Sequence, residues 1–272
     1  MAAIERSGLR VSGASGDRIV TPTVVEDFPD TPIDLLIMAV KAGAVADAAA
    51  MSAGAMERIS RVVTIQNGLG SADTVADLLG GDKLAVGIAQ GFGASLILPG
   101  HVHHNDMKAI RLGTYGALPH ASIQELAMLW RQAGFDTDAV QDILTAQWEK
   151  LICNVAYSAP CALTGLTIGE AMQDGALGPV TRDAATEAYE VARALDIPLS
   201  FDDPIAYVRA FAERMPDAKP SVLLDIESGK KTEVDVINGS IPKQAARVGL
   251  SAPVNATLTR LVQAMENNVS KN

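Results

Sequence analysis

Residues 34–40, Asp-Leu-Leu-Ile-Met-Ala-Val, form an almost unbroken apolar run, long enough for a strand but too short for a helix of its own. Such a run fits a strand buried on both faces of an α/β sheet, which needs helices on either side to cover it. The surrounding sequence supplies them. Further strands are expected at 9–11, 19–25, 62–66, 84–88 and 109–113, with helices at about 44–56 and 72–79. Residues 91–105 add β-like sequence with turns, as at a sheet edge or hairpin. Beyond about residue 120 the spacing turns helical, at 122–134, 142–164, 178–195, 203–214, 220–228, 233–248 and 255–267. Pro198, Pro204, Pro216, Pro220, Gly229, Gly249 and Pro253 separate these segments. The expected plan is an α/β domain over 1–120 and an all-α domain over 121–272, with a cleft between them as the natural place for a site.

A net charge of -10 argues against a nucleic-acid partner, because the lysine and arginine excess that phosphates demand is missing. It leaves room for a small anion held by a few local lysines. No apolar run is long enough to span a bilayer, and the first residues lack the apolar stretch of a signal peptide. Cys153 and Cys161 have no metal-type spacing, and a reduced, cytoplasmic setting is expected. His101 and His103 would share one face of a strand, but no Asp, Glu or Cys cluster completes a metal site; an exposed hairpin is the expectation. The apolar faces of the helical half are compatible with a homodimer.

The sharpest chemical feature is residues 147–158, Gln-Trp-Glu-Lys-Leu-Ile-Cys-Asn-Val-Ala-Tyr-Ser. On a helix Lys150, Asn154 and Ser158 drift only about 40° per step along one face. Trp148, Leu151, Ile152, Val155 and Ala159 make the rest apolar. A solvated polar face is one reading, and a pocket lining is the other; one ammonium followed by two small neutral hydrogen-bonders suits the second. Pro160 is expected to bend the helix near its end. Glu233 lies where a helix should begin, with Thr232 as a candidate N-cap, and complementing the helix dipole is a sufficient role for it. Gln66-Asn67-Gly68-Leu69-Gly70 and Lys41 each follow a strand, where open α/β sheets bind ligands. A plain turn and a snorkelling surface lysine explain them equally well.

Taken together, Val40-Lys41-Ala42, Gln66 to Gly70, Trp148-Glu149-Lys150 with Asn154, Ser221 with Asp225, and Thr232-Glu233-Val234-Asp235 leading into Ile237-Asn238-Gly239 resemble the ketopantoate reductase family over essentially the whole chain. The resemblance implies a Rossmann-like N-terminal domain for dinucleotide binding and a helical substrate and catalytic domain. It implies hydride transfer from NADPH to the C2 carbonyl of a 2-oxoacid, ketopantoate. By it, Lys150 is the general acid and steadies the growing alkoxide. Asn154 orients substrate, Ser158 stands where many members hold substrate with a second Asn, and Ser221 meets the substrate carboxylate or hydroxyl. Glu233 fixes the ammonium and reaches the cofactor ribose or substrate hydroxyl; Asn67 serves substrate and cofactor, and Lys41 and Gly68 line the cofactor side.

The family's opening strand, Gly-x-Gly-x-x-Gly turn and helix are not found here, nor is the basic residue that would select a 2′-phosphate; Gly13-Ala-Ser-Gly16 has the wrong spacing. Roughly thirty residues, about one βαβ unit, are therefore expected to be absent. The N-terminal domain is expected to be truncated at its start with exposed strand edges, the natural frame beginning upstream of Met1 or the chain being an impaired remnant. Rival readings are a related NAD(P)-dependent 2-oxoacid or β-hydroxyacid dehydrogenase, and a cofactor-free interaction protein.

Overall fold

The computed structural model describes residues 1–269. Two compact units result. The first is built on one seven-stranded sheet. Its strands are β1 (Leu9–Gly13), β2 (Arg18–Val20), β3 (Leu36–Met38), β4 (Val62–Thr64), β5 (Leu84–Leu98), β6 (His101–Thr114) and β7 (Thr137–Ala139). The sheet order is β2-β1-β6-β5-β4-β3, and β7 also pairs with β6. β3, β4 and β5 run parallel, while the long β5 and β6 form an antiparallel hairpin. β6 serves two neighbours in turn, pairing in parallel with β1 through residues 101–104 and with β7 through residues 110–112.

Side-chain alternation decides how the sheet is covered. Val63, Ala85, Ile110 and Leu112 pack with Ile123, Leu126, Ala127 and Trp130 of α4 (His120–Gln132). The alternate residues Met38, Val62 and Leu84 pack with Val45 and Ala49 of α2 (Val45–Ser52) and Val75 of α3 (Ser71–Leu79). Helices on both faces make this an α/β layer structure, as the parallel strands demand. A short α1 (Ala2–Ser7) precedes β1.

Several expected strands are trimmed for identifiable reasons. The 34–40 strand is expected to be buried on both faces, yet only Leu36–Met38 is extended and Ile37 is 46% exposed. β3 ends the sheet, so one of its edges faces no strand among the described residues. Its other edge continues past β4 through a side chain: Gln66 Nε2 donates to the Met38 carbonyl at 2.6 Å and the Val40 carbonyl at 3.0 Å. The 19–25 strand stops at Val20, just before Pro22, which has no N–H for a ladder. His101 and His103 do share a face, but half-buried rather than on an exposed hairpin. Their Nε2 and Nδ1 lie 2.9 and 3.1 Å from the Ser12 hydroxyl of β1. Among the described residues no group of three or more His, Cys, Asp or Glu could hold a metal ion.

The second unit contains α5 (Ile143–Thr164), α6 (Ile168–Met172), α7 (Leu177–Ala194), α8 (Pro204–Arg214), α9 (Ser221–Glu227), α10 (Ser240–Arg247) and α11 (Pro253–Val269). α4 and β7, which lie beyond residue 120, belong to the sheet unit, which runs to Ile143. α5 is the centre of the helical core. Trp148, Leu151, Ile152, Val155, Ala156, Tyr157 and Ala159 are all at most 2% exposed. Two short segments that follow strands, Lys41–Gly43 and Asn67–Ser71, also belong to this unit by their contacts. Among the described residues no helix is long and apolar enough to cross a membrane.

The expected helix over 233–248 forms only as α10, from Ser240. Residues 233–239 are instead a tight string of turns, with Val236 and Ile237 N–H groups on the Glu233 carbonyl and the Gly239 N–H reaching back to Val234. Val234, Val236 and Ile237 are β-branched and crowd a helix. Thr232 still caps the start, its hydroxyl accepting the Val234 N–H at 3.2 Å.

Candidate active site

The polar face of α5 meets the two strand-end segments and the 233–239 loop. Lys150 Nζ donates to Asn67 Oδ1 at 2.7 Å. The Asn67 amide turns its Nδ2 to Glu233 Oε2 across a long 3.5 Å, and the Ala42 N–H donates to Glu233 Oε1 at 3.0 Å. Next to Ala42, Lys41 pairs with Asp225 of α9 at 2.7 Å and donates to the Lys231 carbonyl at 3.0 Å. Two carboxylates, one amide and two ammonium groups are thus drawn together from five stretches of chain.

Lys150 is half-buried, and loss of hydration disfavours its charged form. Burial pushes the ammonium down to about 8, against an upward pull from the Glu233 carboxylate. An amine with that value still carries its proton at neutral pH and gives it up readily, as a proton donor must. Cys153, on the same helix, is pushed the other way by burial, up to about 12, so it stays a thiol and takes no part.

The turn after β4 is shaped by close approach. Gly68 has φ +77°, and a Cβ there would overlap the Val236 carbonyl. The Leu69 N–H donates to that same carbonyl at 3.0 Å. The 67–70 turn is therefore locked onto the 233–239 loop, which carries Asn67 to within reach of both Lys150 and Glu233.

Of the residues singled out in the sequence, the structure joins Lys41, Asn67, Gly68, Lys150 and Glu233. Asn154, Ser158 and Ser221 stand outside this hydrogen-bonded set. Asn154 is half-buried one turn beyond Lys150, whereas Ser158, a further turn on, is only 3% exposed. Ser221 is exposed at the first position of α9, one turn before Asp225. Sequence reasoning gives Asp225 no role, although its spacing from Ser221 places both on one helix face. It gives none to the Ala42 N–H or the Val236 carbonyl either, since backbone groups carry no sequence signal.

A nicotinamide cofactor, implied by the resemblance above, fits part of this set. The Asn67 amide, the Glu233 carboxylate and the Lys41 ammonium suit ribose hydroxyls and a carboxamide. The 67–70 turn is not a phosphate cradle, because the Leu69 N–H and the space over Gly68 are both taken by Val236.

Comparison with known proteins gives a consistent picture. The ketopantoate reductase PanE/ApbA family model matches residues 1–117, and the model of its C-terminal part matches residues 142–266. A 2-dehydropantoate 2-reductase of Pyrococcus horikoshii is 30% identical over 266 residues, 97% of this chain and 86% of that protein. One from Halobacterium salinarum is 29% identical over 97% of this chain and 87% of its own length. A PanE/ApbA family ketopantoate reductase from Ralstonia eutropha superposes with a TM-score of 0.85 at 29% identity, covering 99% of this chain and 88% of that one. A D-mandelate dehydrogenase solved with NADH and anilino(oxo)acetate has a TM-score of 0.90 at 21% identity, over 99% of this chain and 88% of its own, which is a likeness of fold.

Proposed function

The chain belongs to the ketopantoate reductase family and is an oxidoreductase, and we propose that it reduces ketopantoate to pantoate with NADPH. The observation that carries this reading is the Lys150–Asn67–Glu233 cluster, a proton donor of lowered pKa held by an amide and a carboxylate. In this reading the sheet-bearing part serves the dinucleotide and the helical part the substrate. The cofactor, when bound, supplies the hydride that adds to C2 of the 2-oxoacid. Lys41, Asn67, Gly68 and Glu233 would hold it.

The chain's own residues handle charge and proton. As the carbonyl carbon gains the hydride, negative charge grows on its oxygen. The Lys150 ammonium faces that charge and delivers its proton to it, leaving an alcohol and a neutral amine. Glu233 favours the protonated amine beforehand and so keeps the donor loaded. Asn67 fixes the ammonium's direction through the 2.7 Å bond. Asn154, on the same face of α5, orients the substrate, with Ser158 below it and Ser221 at its carboxylate or hydroxyl.

The test is steady-state oxidation of NADPH and NADH against a panel of 2-oxoacids that includes ketopantoate. Turnover best with ketopantoate and NADPH is the expected result. Absence of turnover with every 2-oxoacid and either cofactor would overturn the reading. The pH profile offers a second test. Lys150 must be protonated to act, and its pKa is lowered to about 8, so kcat should fall as pH rises through about 8. A profile flat from pH 7 to about pH 10, near the ordinary lysine value, would remove Lys150 as the acid.

A further inference from the structure

We infer that Asn238 is a positioning residue for the proton donor, tying the Glu233 loop to the helix that carries Lys150 by a buried amide relay. Asn238 is fully buried. Both of its amide hydrogens are used. Nδ2 donates to the Val155 carbonyl of α5 at 2.8 Å and to Asn255 Oδ1 of α11 at 2.9 Å. Asn255 Nδ2 passes the chain of bonds to α7, donating to the Ala184 carbonyl at 3.0 Å and to Glu187 Oε2 at 2.9 Å. Glu187 then accepts the Val254 and Asn255 N–H groups at the start of α11. Three helices and one loop therefore meet in a single network whose two amides are fully buried and whose carboxylate is half-buried.

The Asn238 amide satisfies Asn255 Oδ1, which is buried with it, so it serves stability as well as position. Burying it still costs free energy. Asn238 Oδ1 moreover has no hydrogen-bond partner among the described residues, an additional cost. What an amide does that a leucine cannot is fix direction. The 233–239 loop presents Glu233 at its first residue and anchors Asn238 near its last. It is held in front by Ala42, Asn67 and Leu69, and behind by Asn238 on α5 itself, one residue past Asn154. The rear bond sets how far the Glu233 carboxylate stands from Lys150. Among the charged groups around Lys150, Lys41 is already paired with Asp225, and Glu149, its neighbour on α5, turns its carboxylate to the Ser200 N–H at 2.7 Å. Glu233 is the carboxylate whose distance matters.

This inference rests on the reductase reading for the role of Lys150, and its test is independent of turnover. The titration of Lys150 is followed by the pH dependence of its labelling with an amine-directed acylating reagent, read by mass spectrometry. In Asn238→Leu the loop loosens, the upward pull of Glu233 weakens, and the titration moves to lower pH. The expected shift is about half to one unit, a fraction of the roughly 1–3 units an opposite charge at about 4–6 Å supplies. In a Glu233→Gln background the same substitution should add no further shift, because the charge it acts through is gone. With substrate in hand, kcat should fall by up to about 100-fold, the order that a misplacement of about 1 Å costs. An unmoved titration in Asn238→Leu, or a shift that persists undiminished in the Glu233→Gln background, overturns the inference. If Asn238→Leu does not fold, Asn238→Ser, which keeps one hydroxyl donor, carries the same comparison. Failure of wild-type turnover with every 2-oxoacid would strike the reductase reading and leave the titration result standing.

Discussion

Lys150→Met should lose about 10²- to 10⁴-fold in kcat while its unfolding midpoint at pH 7 holds or rises. The rate loss is the usual contribution of a positioned general acid, about 3–5 kcal/mol of transition-state stabilisation at about 1.4 kcal/mol per factor of ten. The stability result follows from the direction of the pKa shift. Burial lowers the folded-state pKa of Lys150 from 10.5 to about 8, so the folded chain binds the proton less tightly than the unfolded one. By linkage, the ammonium then disfavours the folded state fully below about pH 8, and this disadvantage is relieved as pH rises from there towards 10.5. Methionine fills the same space without a charge, so the variant gains most below about pH 8 and nothing above the unfolded-state value. Steady-state rates and denaturant unfolding at pH 7 and pH 10 check both halves. A variant that loses rate and stability together would make Lys150 a structural cation rather than an acid under strain.

The contrast between what the sequence shows and what it hides is sharpest around this lysine. Lys150 and the apolar residues beside it obey helical spacing, and Trp148, Leu151, Ile152, Val155 and Ala159 are buried as that spacing requires. Glu233 and Asn67 are legible as motif residues, but only folding puts Asn67 between Lys150 and Glu233, residues 83 and 166 positions away from it. Residues 233–239 read as helix because polar and apolar residues alternate there at helical intervals. The β-branched crowding and the pull of Asn238 on α5 decide otherwise. Glu187 illustrates the opposite limit. On α7 it looks like one more surface carboxylate, and nothing local announces that it caps α11 from 67 residues away. The parallel pairing of β1 with the first half of β6 is hidden for the same reason, since nothing local to residues 10–13 announces that residues 101–104 will lie beside them.

Gly68→Ala and Gly70→Ala should separate backbone strain from collision, and the difference between them measures how firmly the site turn is locked. Both glycines have positive φ, +77° and +98°, where an alanine costs about 1–2 kcal/mol. At Gly70 a Cβ would meet nothing within 4 Å, so that strain is the whole expected cost. At Gly68 the new Cβ would overlap the Val236 carbonyl, and the obstacle is backbone rather than a side chain that can swing aside. Relief requires the 67–70 turn and the 233–239 loop to part, adding about 1–3 kcal/mol of overpacking. The separation also breaks the Leu69–Val236 bond and carries Asn67 away from Lys150 and Glu233. Gly68→Ala should therefore be the less stable of the two by denaturant unfolding and should lose kcat far more than its neighbour does. Equal losses of stability and rate at the two positions would mean that the turn is free to move, and that Asn67 is not held in place by the loop that carries Glu233.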